Sequence, residues 1–127
     1  MNHRLGVALG LVAGIAIGAT GSLTLIAQKA PMSYVIGEIT EISNQEQYSA
    51  YGARTPATIA KYGGRYLVRG GKTESLEGEP PKRIVVIAFD TPDGASKWYA
   101  SPEYSAIRPI RQGATKARLF AVEGVAP

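Results

Sequence analysis

The chain has 127 residues, which is enough for one domain and too few for two of ordinary size. It contains no cysteine and a single histidine, His3, so disulfides, thiolate catalysis, cysteine zinc sites, serine–histidine hydrolysis and histidine-ligated metals or haem are all disfavoured. The formal net charge is +4, but basic and acidic residues are interspersed without a basic run, which argues against a nucleic-acid partner.

An uncharged apolar segment, residues 5–27, follows Arg4. It is longer than the core of a typical signal peptide, about 7–15 residues, and reaches the roughly 20 residues of a membrane span. Four glycines would share one face of a helix, as in closely packed membrane helices, although leaders are in general rich in small residues: Gly6, Gly10, Gly14 and Gly18. Cleavage after Ala27 or Ala30 is possible, but neither has a small residue two positions earlier.

We therefore predict a signal peptide or membrane anchor over residues 1–30 and one exported domain over residues 31–127. Arg4 favours an inside N-terminus, which places the domain in the periplasm or anchors it to the inner membrane facing out. The membrane would be contacted only through residues 5–27, and only if the leader is uncleaved.

The first half of the domain predicts a strand followed by a helix. Ser33–Ile42 is apolar and partly alternating, as in a strand. Residues 43–46 match a capping box, so a helix should begin there with Ser43 as its cap. Its apolar face recurs at spacings of three and four: Tyr48, Tyr51, Thr55, Ile59 and Tyr62. Pro56 is expected to bend or break this helix, and the glycine pair at 63–64 to end it.

Two more strands are predicted next. Residues 65–69 form a short one, and residues 82–90 form the clearest strand of the chain. The polar connection at 72–81 contains a possible short edge piece at 76–78. The strand at 82–90 is apolar on both faces, which indicates that something packs on each side of it.

The remaining sequence predicts helical structure and a last strand. Residues 90–93 are a helix start with proline in the first turn, and residues 101–103 are a second start. The length of the second element is left open by Pro109. Its inward residues would be Tyr104, Ile107 and Arg111. Residues 116–123 read as the final strand.

The order strand, helix, strand, strand, helix, strand is the split βαβ arrangement. It predicts an α+β, ferredoxin-like fold with a four-stranded antiparallel sheet and helices on one face. The second apolar face of the strand at 82–90 then needs a cover. The simplest cover is the same face of another copy, so we expect a homodimer that encloses a barrel between the two sheets.

Several motifs, in this order, resemble the family of domain of unknown function 1330. They are residues 62–71 (YGGRYLVRGG), 76–78 (LEG), 83–87 (RIVVI), 98–99 (WY), 101–104 (SPEY) and 122–124 (VEG). The resemblance covers roughly residues 33–124 and implies a ferredoxin-like dimeric α+β barrel, whose members have no established common reaction. Related barrel families include small cofactor-free monooxygenases. Where the third strand of this family often carries a glutamate before the phenylalanine, this chain has Ala88.

The candidate ligand-binding residues are cations and aromatic side chains that can hold an anion or an aromatic ring, together with Glu38, a carboxylate that can pair with an arginine or handle a proton: Tyr51, Arg65, Arg69, Trp98, Tyr104, Arg111 and Glu38. The tyrosines and Trp98 are otherwise explained as core residues with a polar group at the rim. Strict alternation places Arg65 and Arg69 on one face with Leu67 between them. If that face is covered, each arginine pairs with a carboxylate such as Glu38 or holds an anionic ligand.

Two functions of different class stay open. The first is a homodimer that binds a small molecule, anionic or aromatic, in the barrel or in the cleft between sheet and helices. The alternative is a cofactor-free enzyme of the small monooxygenase or isomerase type that uses tyrosine, glutamate and arginine chemistry. No catalytic constellation is recognisable, so the catalytic residues are unknown. We expect neither a metal nor a cofactor.

Overall fold

Four antiparallel strands form one sheet in residues 30–127, the part of the chain that this computed structural model describes. They are β1 (Ser33–Ile42), β2 (Gly64–Arg69), β3 (Arg83–Phe89) and β4 (Thr115–Glu123), in the spatial order β2-β3-β1-β4. This order, with helices between β1 and β2 and between β3 and β4, is the ferredoxin-like split βαβ topology that the sequence predicts. No strand forms between β2 and β3 among the described residues, so the possible edge piece at 76–78 is wrong.

The predicted leader lies outside the described residues, apart from Ala30. Nowhere in residues 30–127 does a helix combine the length and the apolar character needed to cross a membrane.

The first helix, α1, spans Gln45–Lys61. Its cap is Asn44 and not Ser43 as predicted, because the Asn44 side chain accepts a hydrogen bond from the backbone N–H of Gln47 at 3.0 Å. The helix ends as predicted, and Gly63 adopts the left-handed conformation (φ 74°) that glycine tolerates best.

Pro56 lies inside α1 without breaking it, so the predicted break is wrong. A proline has no N–H, so the carbonyl of Gly52, four residues earlier, loses its helical partner. The Arg69 guanidinium reaches over from β2 and donates to that carbonyl, with an Nη2–O distance of 2.6 Å. The strand side chain thus replaces the hydrogen bond that the proline removes.

The segment after β3 folds into two helices, α2 (Gly94–Ala100) and α3 (Pro102–Ala114). The predicted start at 90–93 falls just before α2. Ser101 caps α3 as predicted, accepting from the backbone N–H of Tyr104 at 3.2 Å. The α3 helix continues through Pro109.

The core lies between the helices and one face of the sheet. Its largest fully buried side chains come from both layers: Ile59, Phe89, Trp98, Tyr104 and Ile107. Phe89 leaves no room for a side chain at Gly64, since a Cβ there would overlap its ring. Trp98 donates to the hydroxyl of Thr58 at 3.0 Å, which ties α2 to α1.

Within residues 30–127 no helix lies on the opposite face of the sheet, which carries a row of apolar side chains. The strand registers align one residue from each strand across the sheet: Val68, Val86, Ile36 and Phe120. We call this the open face. Phe120 and Val68 are 45% and 39% exposed, so this apolar row is accessible in the single chain.

A β-bulge in β2 separates the two arginines that alternation places together. Tyr66 pairs with Ile87 and Val68 pairs with Val86, which leaves Leu67 as an extra residue between them. Arg65 therefore lies on the open face, whereas Arg69, opposite Val85, lies on the helix face. The prediction that both arginines share one face is wrong.

Candidate functional site

A cleft of about 400 Å³ opens between α1 and the helix face of the sheet. We call it the sheet–helix cleft. Its apolar wall comes from three strands: Val35, Ile39, Val85, Ile87 and Leu119, with the bare backbone of Gly37 between them. Its polar groups come from α1, α3 and the ends of β2 and β3.

The inner end of the cleft is formed by Arg111, Tyr104 and Tyr51. The Tyr51 and Tyr104 hydroxyl oxygens lie 2.7 Å apart, and Arg111 Nε donates to the Tyr104 hydroxyl at 3.3 Å. Arg111 is 7% exposed and Tyr104 is fully buried. This places a guanidinium on a hydroxyl pair at the bottom of an apolar cleft.

Burial governs the protonation of this inner end. Burial, together with the neighbouring Tyr104, raises the pKa of Tyr51 far above the ordinary value of a tyrosine. Burial disfavours the charged form of Arg111, but the oxygens of Tyr104 and Tyr51 outweigh that effect and raise its pKa. Tyr51 is thus a neutral hydroxyl and Arg111 a cation at all ordinary pH values.

The outer rim of the cleft carries two further arginines, Arg69 and Arg83. Arg69 donates to the Gly52 carbonyl and lies over the Tyr66 ring, 4.6 Å from its centroid. Arg83 Nε donates to the Tyr48 hydroxyl at 2.9 Å. Burial raises the pKa of Tyr66, which keeps this side of the cleft free of negative charge.

Arg83 depends on a glycine beside it. A Cβ at Gly70 would overlap the Arg83 guanidinium, and Gly70 has a φ of 66°, a conformation that glycine tolerates best. The double-glycine end of β2 therefore leaves the space that the rim arginine fills.

None of these three arginines forms an ion pair with a carboxylate of residues 30–127. Among the described residues, those that line the cleft include no aspartate, glutamate or histidine. By contrast, Arg65 pairs with Asp90 at 3.1 Å, and Arg118 pairs with Glu38. Arginines on the open face are therefore paired with carboxylates, whereas in the described part of the chain the arginines of the cleft on the helix face are not.

The structure brings together four of the residues singled out in the sequence: Tyr51, Arg69, Trp98 and Arg111 line the cleft. Tyr104 lies directly behind the lining and bonds to two of its members. Glu38 and Arg65 lie elsewhere. Glu38 pairs with Arg118, so it is not the carboxylate partner of Arg65 or Arg69.

Sequence reasoning missed Arg83 and Tyr66 as residues of the cleft. Arg83 is the first residue of β3, and a charged residue at this position is typical of the solvent-exposed end of a strand. However, it has the same parity as Val85 and Ile87, which face the helices, and this spacing of two places it in the cleft.

No group of three or more histidine, aspartate or glutamate side chains that could hold a metal ion occurs among residues 30–127.

A family model described as "Domain of unknown function (DUF1330)" matches residues 32–125. A comparison with curated proteins finds no match.

Several solved structures share the fold. A protein of unknown function from Rhodopseudomonas palustris, RPA0582, is 17% identical over 76% of this chain and 85% of its own, with a TM-score of 0.59. A hypothetical protein of Arabidopsis thaliana, At3g17210, is 14% identical over 78% of this chain and 92% of its own, with a TM-score of 0.54. SnoaB of Streptomyces nogalater, a cofactor-independent oxygenase, is 13% identical over 77% of this chain and 97% of its own, with a TM-score of 0.53. At these identities the likeness concerns the fold alone.

Proposed function

The chain belongs to the family described as domain of unknown function DUF1330, and from this premise we propose that it binds a small, apolar or aromatic anion in the sheet–helix cleft. The observation that carries the proposal is Arg111, a buried cation with no carboxylate partner in residues 30–127. A buried charge is expensive unless it is paired, and an anionic ligand in the cleft would supply the partner that Arg111 lacks among these residues.

The surroundings of Arg111 support the class of the ligand. The walls of the cleft are apolar and aromatic, which suits a hydrocarbon or an aromatic ring. The planar guanidinium suits a carboxylate or a similar planar anion. The volume of about 400 Å³ falls within the range of small-molecule sites, roughly 300–1,000 Å³.

A thermal-shift series on the full-length chain tests this proposal. The probes are monocarboxylates from benzoate to naphthalene-2-carboxylate, each paired with its uncharged primary amide. At least one acid should raise the melting temperature of the wild type, and its amide should not. Arg111→Met should lose the effect, because the cation is gone while the side-chain volume is similar.

The matched control is Arg108→Met on the same helix. Arg108 lies over the Tyr99 ring and donates to the Tyr99 carbonyl at 3.0 Å, outside the lining of the cleft. Its loss should leave the response to acids intact. No stabilisation by any acid, or stabilisation that persists in Arg111→Met, would contradict the proposal.

We propose further that the protein is a homodimer joined through the open face. The row of Val68, Val86, Ile36 and Phe120 offers an apolar strip across all four strands. Two copies of this face can pack sheet on sheet about a two-fold axis, which removes both strips from water.

The export of the domain is a proposal that rests on sequence. Residues 5–27 are uncharged and apolar, and Arg4 precedes them. Cell fractionation of the natural host tests it, and recovery of the chain solely in the cytosolic fraction would contradict it.

The alternative function is a cofactor-free enzyme acting on the same class of molecule. The hydroxyl pair of Tyr51 and Tyr104 beside Arg111 could stabilise negative charge that develops on a bound substrate. SnoaB, with the same fold, is described as a cofactor-independent oxygenase. Conversion of a stabilising acid by the wild type, seen by mass spectrometry and lost in Tyr51→Phe, would favour the enzyme over the binding protein.

A further inference from the structure

The three arginines of the sheet–helix cleft fall into two groups, which lie towards opposite edges of the sheet. Arg69 ends β2 and Arg83 begins β3, the two strands at one edge. Arg111 also lines a second cavity together with Thr115, Lys116 and Leu119 of β4, the strand at the other edge. Neighbouring strands are about 4.8 Å apart, so β3 and β4, with β1 between them, are separated by on the order of 10 Å.

The two rim arginines form one unit. Arg83 bonds to the Tyr48 hydroxyl and Arg69 bonds to the Gly52 carbonyl, and these α1 residues are four positions apart. Arg69 pairs with Val85, and Arg83 lies two residues from Val85 on the same face, so the two arginines are diagonal neighbours on adjacent strands, roughly 7–8 Å apart at the backbone. Their long side chains lie on the same side of the cleft, where one anionic group can contact both.

Each of the three guanidiniums is held by a neutral group, namely a hydroxyl for Arg83 and Arg111 and a carbonyl for Arg69. Neutral partners fix the position of a cation without cancelling its charge. Between the two groups the sheet presents only apolar side chains and a glycine: Val85, Gly37, Ile39 and Ile87. The strand spacing therefore favours one acidic group near Arg111 and a second one near Arg69 and Arg83.

We propose that the ligand is an elongated dianion, an apolar or aromatic molecule with an acidic group at each end. One acidic group contacts Arg111, the other contacts Arg69 and Arg83, and the apolar body lies across β3 and β1. This inference rests on the proposed function, since it specifies the ligand of the same cleft.

Calorimetric titration of the full-length chain with benzene-1,4-diacetate, with its monoamide and with phenylacetate tests the dianion. The diacid should bind about tenfold or more tightly than the monoamide, the effect of one well-formed charge-assisted contact. The double variant Arg69→Gln/Arg83→Gln should bind the diacid and the monoamide equally. Glutamine keeps a donor for Gly52 and for Tyr48, so the rim should retain its structure.

The matched control is Arg65→Gln, which removes a charge from the same strand on the opposite face. It should keep the preference for the diacid. Equal binding of diacid and monoamide to the wild type, with both lost in Arg111→Met, would overturn the dianion and leave the proposed function standing. Binding of monocarboxylates without binding of the diacid would do the same. No binding of the diacid, the monoamide or any monocarboxylate would overturn both.

Discussion

Arg111 has opposite effects on stability and on the proposed function: burying its charge costs free energy on folding, but the charge is what would bind the ligand. It is 7% exposed, and its polar contact to a side chain is the neutral hydroxyl of Tyr104. Burial removes water from this charge, and without a ligand anion only the oxygens of Tyr104 and Tyr51 compensate for that loss.

We therefore expect Arg111→Met to stabilise the ligand-free protein. Methionine fills a similar volume, and Tyr104 keeps its bond to Tyr51, so no buried polar group loses its last partner. The free energy of unfolding should rise by up to about 1 kcal/mol, since the tyrosine oxygens already compensate for part of the lost hydration. Urea denaturation at neutral pH measures it.

Arg108→Met serves as the control for this change and should be neutral or slightly destabilising, since it removes the contact with Tyr99. If Arg111→Met instead destabilises the protein by more than Arg108→Met does, Arg111 holds the fold and is not an unpaired cation kept for a ligand.

At the residue scale, the sequence predicts those cleft residues whose position follows from helical spacing. Tyr51 and Arg111 lie on the inward faces of α1 and α3, as their spacing from Thr55 and Ile107 indicates. The arginines of β2 could not be placed. One extra residue, Leu67, lies in a bulge and moves Arg69 to the other face of the sheet. In a strand of only six residues, the sequence pattern does not reveal such a bulge.

At the element scale, α1 shows why a proline does not always end a helix. The sequence predicts a bend at Pro56 because the Gly52 carbonyl loses its N–H partner. The guanidinium that replaces it is 17 positions away on another element. Local sequence cannot reveal such a partner. The helices and strands of this fold are therefore predictable from local patterns, but a tertiary hydrogen bond that replaces a missing helical one is not.

This arrangement predicts coupling between Pro56 and Arg69. Arg69→Ala alone should lower the free energy of unfolding by about 1 kcal/mol, since it leaves the Gly52 carbonyl without its donor in a partly exposed position. Pro56→Ala restores a helical N–H to that carbonyl. In the Pro56→Ala background, the loss caused by Arg69→Ala should therefore shrink to well under half.

A double-mutant cycle by chemical denaturation measures this coupling. Arg65→Ala, on the same strand but facing away, should cost the same with or without Pro56. Additive effects of Pro56→Ala and Arg69→Ala would contradict the role given to Arg69 in α1.

At the scale of the whole molecule, the two faces of one sheet serve different purposes. The helix face carries the core and the cleft, with arginines that keep their charge. The open face carries neutralised pairs, Arg65 with Asp90 and Arg118 with Glu38, on either side of the apolar row. Neutralised charges beside an apolar strip suit a surface that packs against a copy of itself.

The dimer prediction belongs to this scale, and Phe120 tests it. Phe120 lies in the apolar row opposite Ile36 and is 45% exposed in the single chain. In a face-to-face dimer it would be buried, so Phe120→Glu would place an unpaired carboxylate in each half of the interface, at a cost of several kcal/mol.

We expect the wild type to sediment as a dimer at micromolar concentration and Phe120→Glu as a monomer with an unchanged far-ultraviolet circular dichroism spectrum. Ala57→Glu, which adds the same charge on the exposed side of α1, should stay dimeric. A monomeric wild type, or a Phe120→Glu variant that still sediments as a dimer, would contradict assembly through the open face, because a half-exposed phenylalanine can accept a carboxylate only where no partner covers it.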